Sequence, residues 1–293
     1  VCNNDFDADF VYYLLRYQKP LLESKAAKVT VPIVNKNNFE NIELEVPGLP
    51  EQRSIARMIT SVQEAIVGQE ELVSKLKELK RIMMHHLFTH GTKGEKTKMT
   101  EIGEVPESWK VVELGSVADI TMGQSPSSKT YNENANGLPF YQGKIDFGQK
   151  NLKLRIYCDN PKKIAEQGDI LISVRAPVGP VNITTLKCCI GRGLGSIRAK
   201  NILNQDFLYF YLVFSEKNIT ALGTGSTFHA INKNQLAKFL IILPDINQQK
   251  EIFNVLLKID QEIEIIQEKL SVYQRLFKTL LHELMSGGRR VKI

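Results

Sequence analysis

The chain has 293 residues, 43% hydrophobic and 24% charged, with a net charge of +6 and a pI near 9.0. That composition excludes a disordered polypeptide and leaves enough chain for two compact domains with their own cores. The basic excess is compatible with a nucleic-acid partner without requiring one, and sixteen Lys/Arg against eleven Asp/Glu fall between residues 92 and 205.

In chain order, residues 1–49 open on Val1 inside a unit that is repeated. Residues 9–91 return as residues 206–288 without a gap, at a constant offset of 197. Asp9-Phe10, Tyr12, Asn35-Lys36-Asn37, Pro47, Gln52 and Ile55 have partners in Asp206-Phe207, Tyr209, Asn232-Lys233-Asn234, Pro244, Gln249 and Ile252. A solenoid repeats every 20–50 residues or so, whereas this period is that of a whole domain. The first copy is therefore expected to lack its front.

Residues 50–91 are predicted as one long helix. With Ile55 at position a of a heptad, the a sites are Ile55, Val62, Gln69, Leu76 and Met83. Further apolar rows lie three residues on (Met58, Ala65, Leu72, Leu79) and four on (Ile59, Ile66, Val73, Leu87). Residues 248–293 repeat the pattern, with Ile252, Ile259, Ile266, Tyr273 and Leu280 at a and Leu256, Ile263, Leu270, Phe277 and Leu284 four later. Sustained heptads predict that the two helices pair, antiparallel, as a coiled coil. At about 1.5 Å per residue, such a helix is a rod of roughly 55 Å. Gln69 is the one polar a residue within this frame, either a register device or a tolerated edge. Between the helices, residues 89–108 read as a polar linker. Residues 109–247 read as strands (Val111-Val112, Ile120–Met122, Ile170–Val174, Val181–Thr184) with one helix near Asp206–Phe214. The expected fold class is α+β: a mostly-β domain with a few helices, plus the two long helices.

Several signals of catalysis fail on spacing. Gly137 to Lys144 resembles a phosphate loop, but its glycines are one residue too far apart and Ile145 stands where Ser or Thr must hold magnesium. Gly191-Arg192-Gly193-Leu194-Gly195 lacks dinucleotide-loop spacing. His85, His86 and His90 have no partner at ligand spacing, and the four cysteines show no metal pattern, so no metal is expected. The cysteines read as reduced. No apolar run is long enough to cross a bilayer and no signal peptide is visible, which predicts a cytoplasmic chain with no membrane partner.

What remains is a set of loops rich in small, amide and basic side chains. They carry Gln124, Ser125, Ser127, Lys129 and Tyr131, then Gln142 and Lys144, then Arg175 and Arg192, and finally Ser226, Thr227, His229 and Lys233. Gln pairs bidentately with adenine and Arg or Lys with guanine, while Ser, Thr and Lys hold phosphates. Residues 225–230 align with 28–33, just before the shared Asn-Lys-Asn, so scaffold repeats while loop chemistry diverges.

With these features the chain resembles the specificity subunit of a type I restriction–modification system, over essentially its whole length. The block Val46-Pro47-Gly48-Leu49-Pro50-Glu51-Gln52-Arg53 opening a long helix carries the resemblance, as does its weaker echo Leu243-Pro244-Asp245-Ile246-Asn247-Gln248-Gln249-Lys250. Trp109–Gly115, Met122–Ser125, Gly168–Gly179, Gly191–Leu194 and Gly225–Ile231 are also similar. The resemblance implies two recognition domains, each reading half of a bipartite double-stranded DNA site through the major groove. It implies that the long helices act as a spacer and dock two modification (methyltransferase) subunits. Those partners would bring S-adenosylmethionine; a restriction subunit would bring ATP- and Mg2+-dependent translocation and cleavage, with no cofactor and no catalytic residue in this chain. Because the front of the first recognition domain is expected to be absent, the chain either reads one half-site or pairs as a homodimer to regain two. Two other readings stay open: the specificity segment of a fused methyltransferase–restriction protein, and an architectural coiled-coil bridge.

Overall fold

A computed structural model describes residues 5–25, 34–148, 152–223 and 230–291. The chain begins with three short helices, α1 (Ala8–Tyr17), α2 (Lys19–Lys25) and α3 (Lys36–Glu40), followed by the long α4 (Leu49–His90). Strands β1 (Thr97–Thr100), β2 (Gly103–Pro106) and β3 (Lys110–Glu113) lead through α5 (Leu114–Val117) to β4 (Ala118–Met122). There follow β5 (Tyr131–Asn132), β6 (Leu138–Tyr141), β7 (Ile156–Cys158), β8 (Ile164–Ala165) and β9 (Ile170–Ser173). After β10 (Val181–Ile183), β11 (Cys188–Ile190) and β12 (Leu194–Ala199) come α6 (Gln205–Phe214), α7 (Glu216–Leu222) and α8 (Lys233–Ala237), then β13 (Leu240–Leu243) and the long α9 (Ile246–Met285). The chain forms two compact units, Val1–Glu78 with Gln261–Ile293, and Leu79–Asp260.

The internal repeat is carried by the helices residue for residue. Shifting α1, α2 and α3 by 197 lands on the bounds of α6, α7 and α8, and α4 and α9 start at equivalent positions. The caps repeat as well. Asp7 accepts a hydrogen bond from the Phe10 amide at 3.0 Å, and Asn204 accepts one from Phe207 at 2.8 Å. Asn35 and Asn232 cap α3 and α8 in the same way, each satisfying a donor that the first helical turn leaves free.

One glutamine in each copy ties this cap to a long helix. Gln52 Oε1 accepts from the Asp7 amide at 3.0 Å, while its Nε2 donates to the carbonyls of Pro47 at 2.8 Å and Asp5 at 3.4 Å. Gln249 makes the equivalent set with the Asn204 amide (2.7 Å), Pro244 (2.9 Å) and Ile202 (3.1 Å). Both side chains are buried, so these main-chain groups have no water to fall back on.

In the first unit, α1 packs Phe10, Tyr13 and Leu14 on Ile55, Ile59 and Ile66 of α4 and on Phe277 and Leu284 of α9. Ile55 and Ile59 are fully buried, each a contribution of about 1.5–3 kcal/mol. In the second unit, Met84, Leu87 and Phe88 of α4 and Ile252 and Leu256 of α9 share a core with Trp109, Phe207, Leu208 and the inner faces of the sheets. Within each unit the α4 and α9 segments run antiparallel. The seam is one row narrower than the apolar pattern predicts. Ile59, Ile66 and Val73 are buried, whereas Met58, Leu72 and Leu79 are 38–45% exposed. A two-helix seam takes only the rows three and four apart, so Ile55 occupies a d site and Ile59 an a site. Lys80 then falls on the seam. Its Nζ sits 2.5 Å from Asp260 and 5.0 Å from the Phe210 ring centroid.

The second unit carries two main sheets. One has the order β10-β9-β12-β4, antiparallel throughout, with Ile197 opposite both Ile170 and Ile120. The other has the order β5-β7-β6-β11-β8, in which β6 and β11 run parallel. Pairs β1-β2 and β13-β3 complete it. Residues 89–108, expected as a linker, instead contain the β1-β2 hairpin, held because Val105 and Trp109 are buried. Among its described residues the mostly-β segment also holds four α-helices, where the strand pattern shows one. The thiols of Cys158, Cys188 and Cys189 are free and buried, and burial pushes those of Cys188 and Cys189 up to about 11. No helix of the described residues is long and apolar enough to cross a membrane.

At the start of α4, the buried Glu51 is gripped by Arg290, with Nε–Oε1 at 2.9 Å and NH2–Oε2 at 2.7 Å, and accepts from the Val291 amide at 3.2 Å. The Arg290 hydrogen bond, more than its charge, holds the Glu51 carboxyl below its ordinary 4.5. A carboxylate with a lowered folded pKa stabilises the fold above its unfolded value, and that contribution fades as pH falls through the folded one. Glu51→Gln should therefore flatten the loss of stability that the parent shows below pH of about 4.5, measured by urea midpoints across pH. Gln249→Ala should cost about 1–3 kcal/mol in denaturant unfolding, because buried groups lose their partners. The exposed control Gln274→Ala should shift stability by less than about 0.5 kcal/mol.

Candidate nucleic-acid interface

The predicted site loops hang from strand ends of the two main sheets and meet at the short turn Gly191-Arg192-Gly193. The Gly191 amide donates to the Tyr141 carbonyl at the end of β6 (2.8 Å), and Gln124 donates to Ile190 at the end of β11 (3.0 Å). Gly123 donates to Leu194 at 2.8 Å, Val174 to Gly193 at 3.0 Å and Ile231 to Val174 at 3.0 Å. Main-chain bonds thus join the loops after β4, β6, β9 and β11 and the segment before α8.

These approaches leave no room for side chains. A Cβ on Gly123 would lie 2.1 Å from the Gly191 carbonyl oxygen, and one on Gly193 would lie 2.3 Å from that of Gln142. Gly123 and Gly193 are there for backbone contact.

Around this hub the polar residues point outward. Gln124, Ser125, Ser127, Lys129, Gln142, Lys144, Arg175 and Arg192 are all exposed. Ser125 Oγ accepts from the Arg192 amide at 3.2 Å, which joins the first loop to the hub. Tyr131 is half-buried. Its ring packs on Phe140 with centroids 4.7 Å apart and its hydroxyl donates to the Pro126 carbonyl at 3.0 Å, so it shapes the loop from beneath. Burial raises the Tyr131 pKa, with the neighbouring Cys158 and Cys189 adding to the rise and the Arg192 charge opposing it. Lys233 is exposed at the first position of α8, which packs on α5 and β4. Ser226, Thr227 and His229 lie outside the described residues, as does most of the loop compared with residues 28–33.

The charges divide into used and unused. Arg198 is committed to the buried Asp169, with Nε–Oδ1 at 2.7 Å and NH2–Oδ2 at 3.0 Å. Among the described residues no carboxylate lies within ion-pair distance of Arg175 or Arg192. Sequence reasoning missed Asp146, which is buried beneath the loop after β6 and accepts from the amides of Gln142 (2.7 Å) and Gly143 (3.4 Å). It folds residues 142–147 into a tight turn, presenting Gln142 and Lys144. A lone Asp in a polar stretch gives no signal of that role. Near the end of α4, His85 bonds Thr89 at 3.1 Å and His86 stacks on His90. No cluster of metal-ligating residues exists among the described residues.

Residues 2–78 and 106–272 match the family model described as type I restriction modification DNA specificity domain. The chain is similar to the putative type I restriction enzyme MjaX specificity subunit of Methanocaldococcus jannaschii, 38% identical over 99% of this chain and 70% of that protein. Among solved structures it is similar to the HsdS subunit of Thermoanaerobacter tengcongensis, with a TM-score of 0.60 and 34% identity over 97% of this chain and 71% of that one. A chain of a type I R-M system solved for its complex assembly and conformational transition superposes with a TM-score of 0.68 and 33% identity, covering 96% of this chain and 71% of that one.

The hub's close contacts predict that Gly193→Ala costs about 1–3 kcal/mol of stability by overpacking. Gly143→Ala, where a Cβ would meet nothing within 4 Å, should be nearly neutral. Thermal melts of the two variants check the contrast.

Proposed function

From its membership of the type I restriction modification DNA specificity family, we propose that this chain reads one part of a bipartite duplex site with the loops gathered at Gly191–Gly193, and that its partners carry out the chemistry. The observation that carries the reading is the rim itself: exposed amide and cationic side chains fixed on a backbone hub, with Arg175 and Arg192 free of carboxylate partners among the described residues. Residues 92–247 form the recognition domain in this reading. Residues 1–49 are the corresponding C-terminal part of another, and the helical segments 50–91 and 248–293 are the spacer. Gln124, Gln142, Arg175 and Arg192 face base edges, Gln towards adenine and Arg towards guanine. Ser125, Ser127, Lys129, Lys144 and Lys233 hold phosphates, as do Ser226, Thr227 and His229, with Tyr131 shaping the first loop.

The spacer docks two modification subunits, which bring S-adenosylmethionine, and a restriction subunit adds ATP- and Mg2+-dependent cleavage in the cytoplasm. A second copy supplies a second recognition domain where two half-sites must be read. The family relationship supports the DNA and methyltransferase partners over the purely architectural reading.

Binding to the preferred duplex should fall steeply with salt, with a slope of about −0.9 per neutralised phosphate. Arg175→Ala or Gln124→Ala should reduce discrimination between preferred and random duplex by about 1–3 kcal/mol per lost base contact. Competition titrations measure both, and an equal loss on the two duplexes would remove those residues from base reading.

A further inference from the structure

Beyond the amide and cationic side chains, the rim carries one aliphatic residue in an unusual place. Ile145 is 71% exposed at the centre of the 3-10 turn Lys144–Asp146. Burying an isoleucine side chain contributes about 1.5–3 kcal/mol, and here it faces water. The turn that presents it is held from both sides. Asp146 is buried and accepts from the Gln142 and Gly143 amides, its own amide donates to Gly143, and its carbonyl accepts from Lys153 at 2.7 Å. A side chain on such a support is displayed in one direction and has little freedom to fold away.

Its surroundings decide what it meets. Lys144 precedes it, Lys153 bonds the next residue through its main-chain amide, and the Arg155 guanidinium lies 3.9 Å from the Asp146 carboxylate. The segment around the turn thus carries three exposed basic side chains, Lys144, Lys153 and Arg155, against the single buried carboxylate of Asp146. An apolar tip on a basic segment suits a polyanion that also offers methyl groups, and duplex DNA offers these as thymine C5-methyls in the major groove. The turn also abuts the hub, since the Gln142 carbonyl is the group that forbids a Cβ on Gly193.

We infer that Ile145 is a specificity-determining residue that reads one thymine of the recognised half-site through its C5-methyl group. This rests on the DNA-reading role proposed above and adds an apolar contact to its hydrogen-bonding set. Loss of one methyl contact is worth about 4-fold in affinity, taking the value of a single buried carbon.

The test uses the full chain assembled with its modification subunits and a labelled duplex carrying the preferred site, first found by selection from a random library. Each thymine is replaced in turn by deoxyuridine, which removes the methyl and keeps the pairing edge. The parent should lose about 4-fold at one position, and Ile145→Ala should be indifferent to uracil there while remaining sensitive elsewhere. Ile145→Val should keep part of the effect. The inference is overturned if no single replacement weakens the parent, if Ile145→Ala retains the same sensitivity, or if the variant loses only assembly with the modification subunits. Failure to prefer any duplex over random DNA would instead overturn the DNA-reading role itself.

Discussion

In each unit a long helix starts at a fixed place against a short one, and a single amide side chain imposes that constraint. Gln249 takes the Asn204 amide with its oxygen and gives its two protons to the carbonyls of Ile202 and Pro244. Asn204 in turn caps α6, whose Phe207, Leu208 and Leu212 fill the centre of the second unit. A carboxylate in the same place could accept the amide but donate nothing, and a leucine could do neither. The first unit reuses the arrangement through Gln52, although its other contacts have changed. Next to the clasp, Glu51 holds Arg290 where its counterpart Gln248 accepts from the Trp109 indole at 2.6 Å. The clasp is retained while its neighbours are exchanged.

The sequence exposed the helical half of this structure well. An offset of 197 held from the caps to the long helices because helix starts are written in local chemistry: Asp7 and Asn204, Asn35 and Asn232, Gln52 and Gln249. The apolar rows were legible too, but not which of two rows meets the partner. The buried state of Ile59 and the exposed state of Met58 depend on a second helix.

The strands were harder. β6 contains Pro139, lies in a stretch that mimics a phosphate loop, and pairs with β11 almost fifty residues later. The hairpin β1-β2 is polar along most of its length and is held by Val105 and by Trp109 beyond it. Pairings of that kind are set by tertiary context that no local pattern records. Among the candidate site residues, the exposed Gln, Ser, Lys and Arg of the glycine-rich loops were readable from composition. Asp146 and Ile145 were not, one being a lone buried acid and the other an apolar residue whose exposure only the fold reveals.

The hub at Gly191–Gly193 is built from amide and carbonyl groups, with Ser125 the one outward-facing side chain bonded to it in this set. A framework closed by the main chain does not need the outward side chains in order to stand. Gln124, Gln142, Arg175 and Arg192 can then be exchanged one at a time without unfolding what carries them. Such a surface can acquire a new preference through single substitutions, each intermediate remaining a folded protein, so the glycines make the rim evolvable as well as compact.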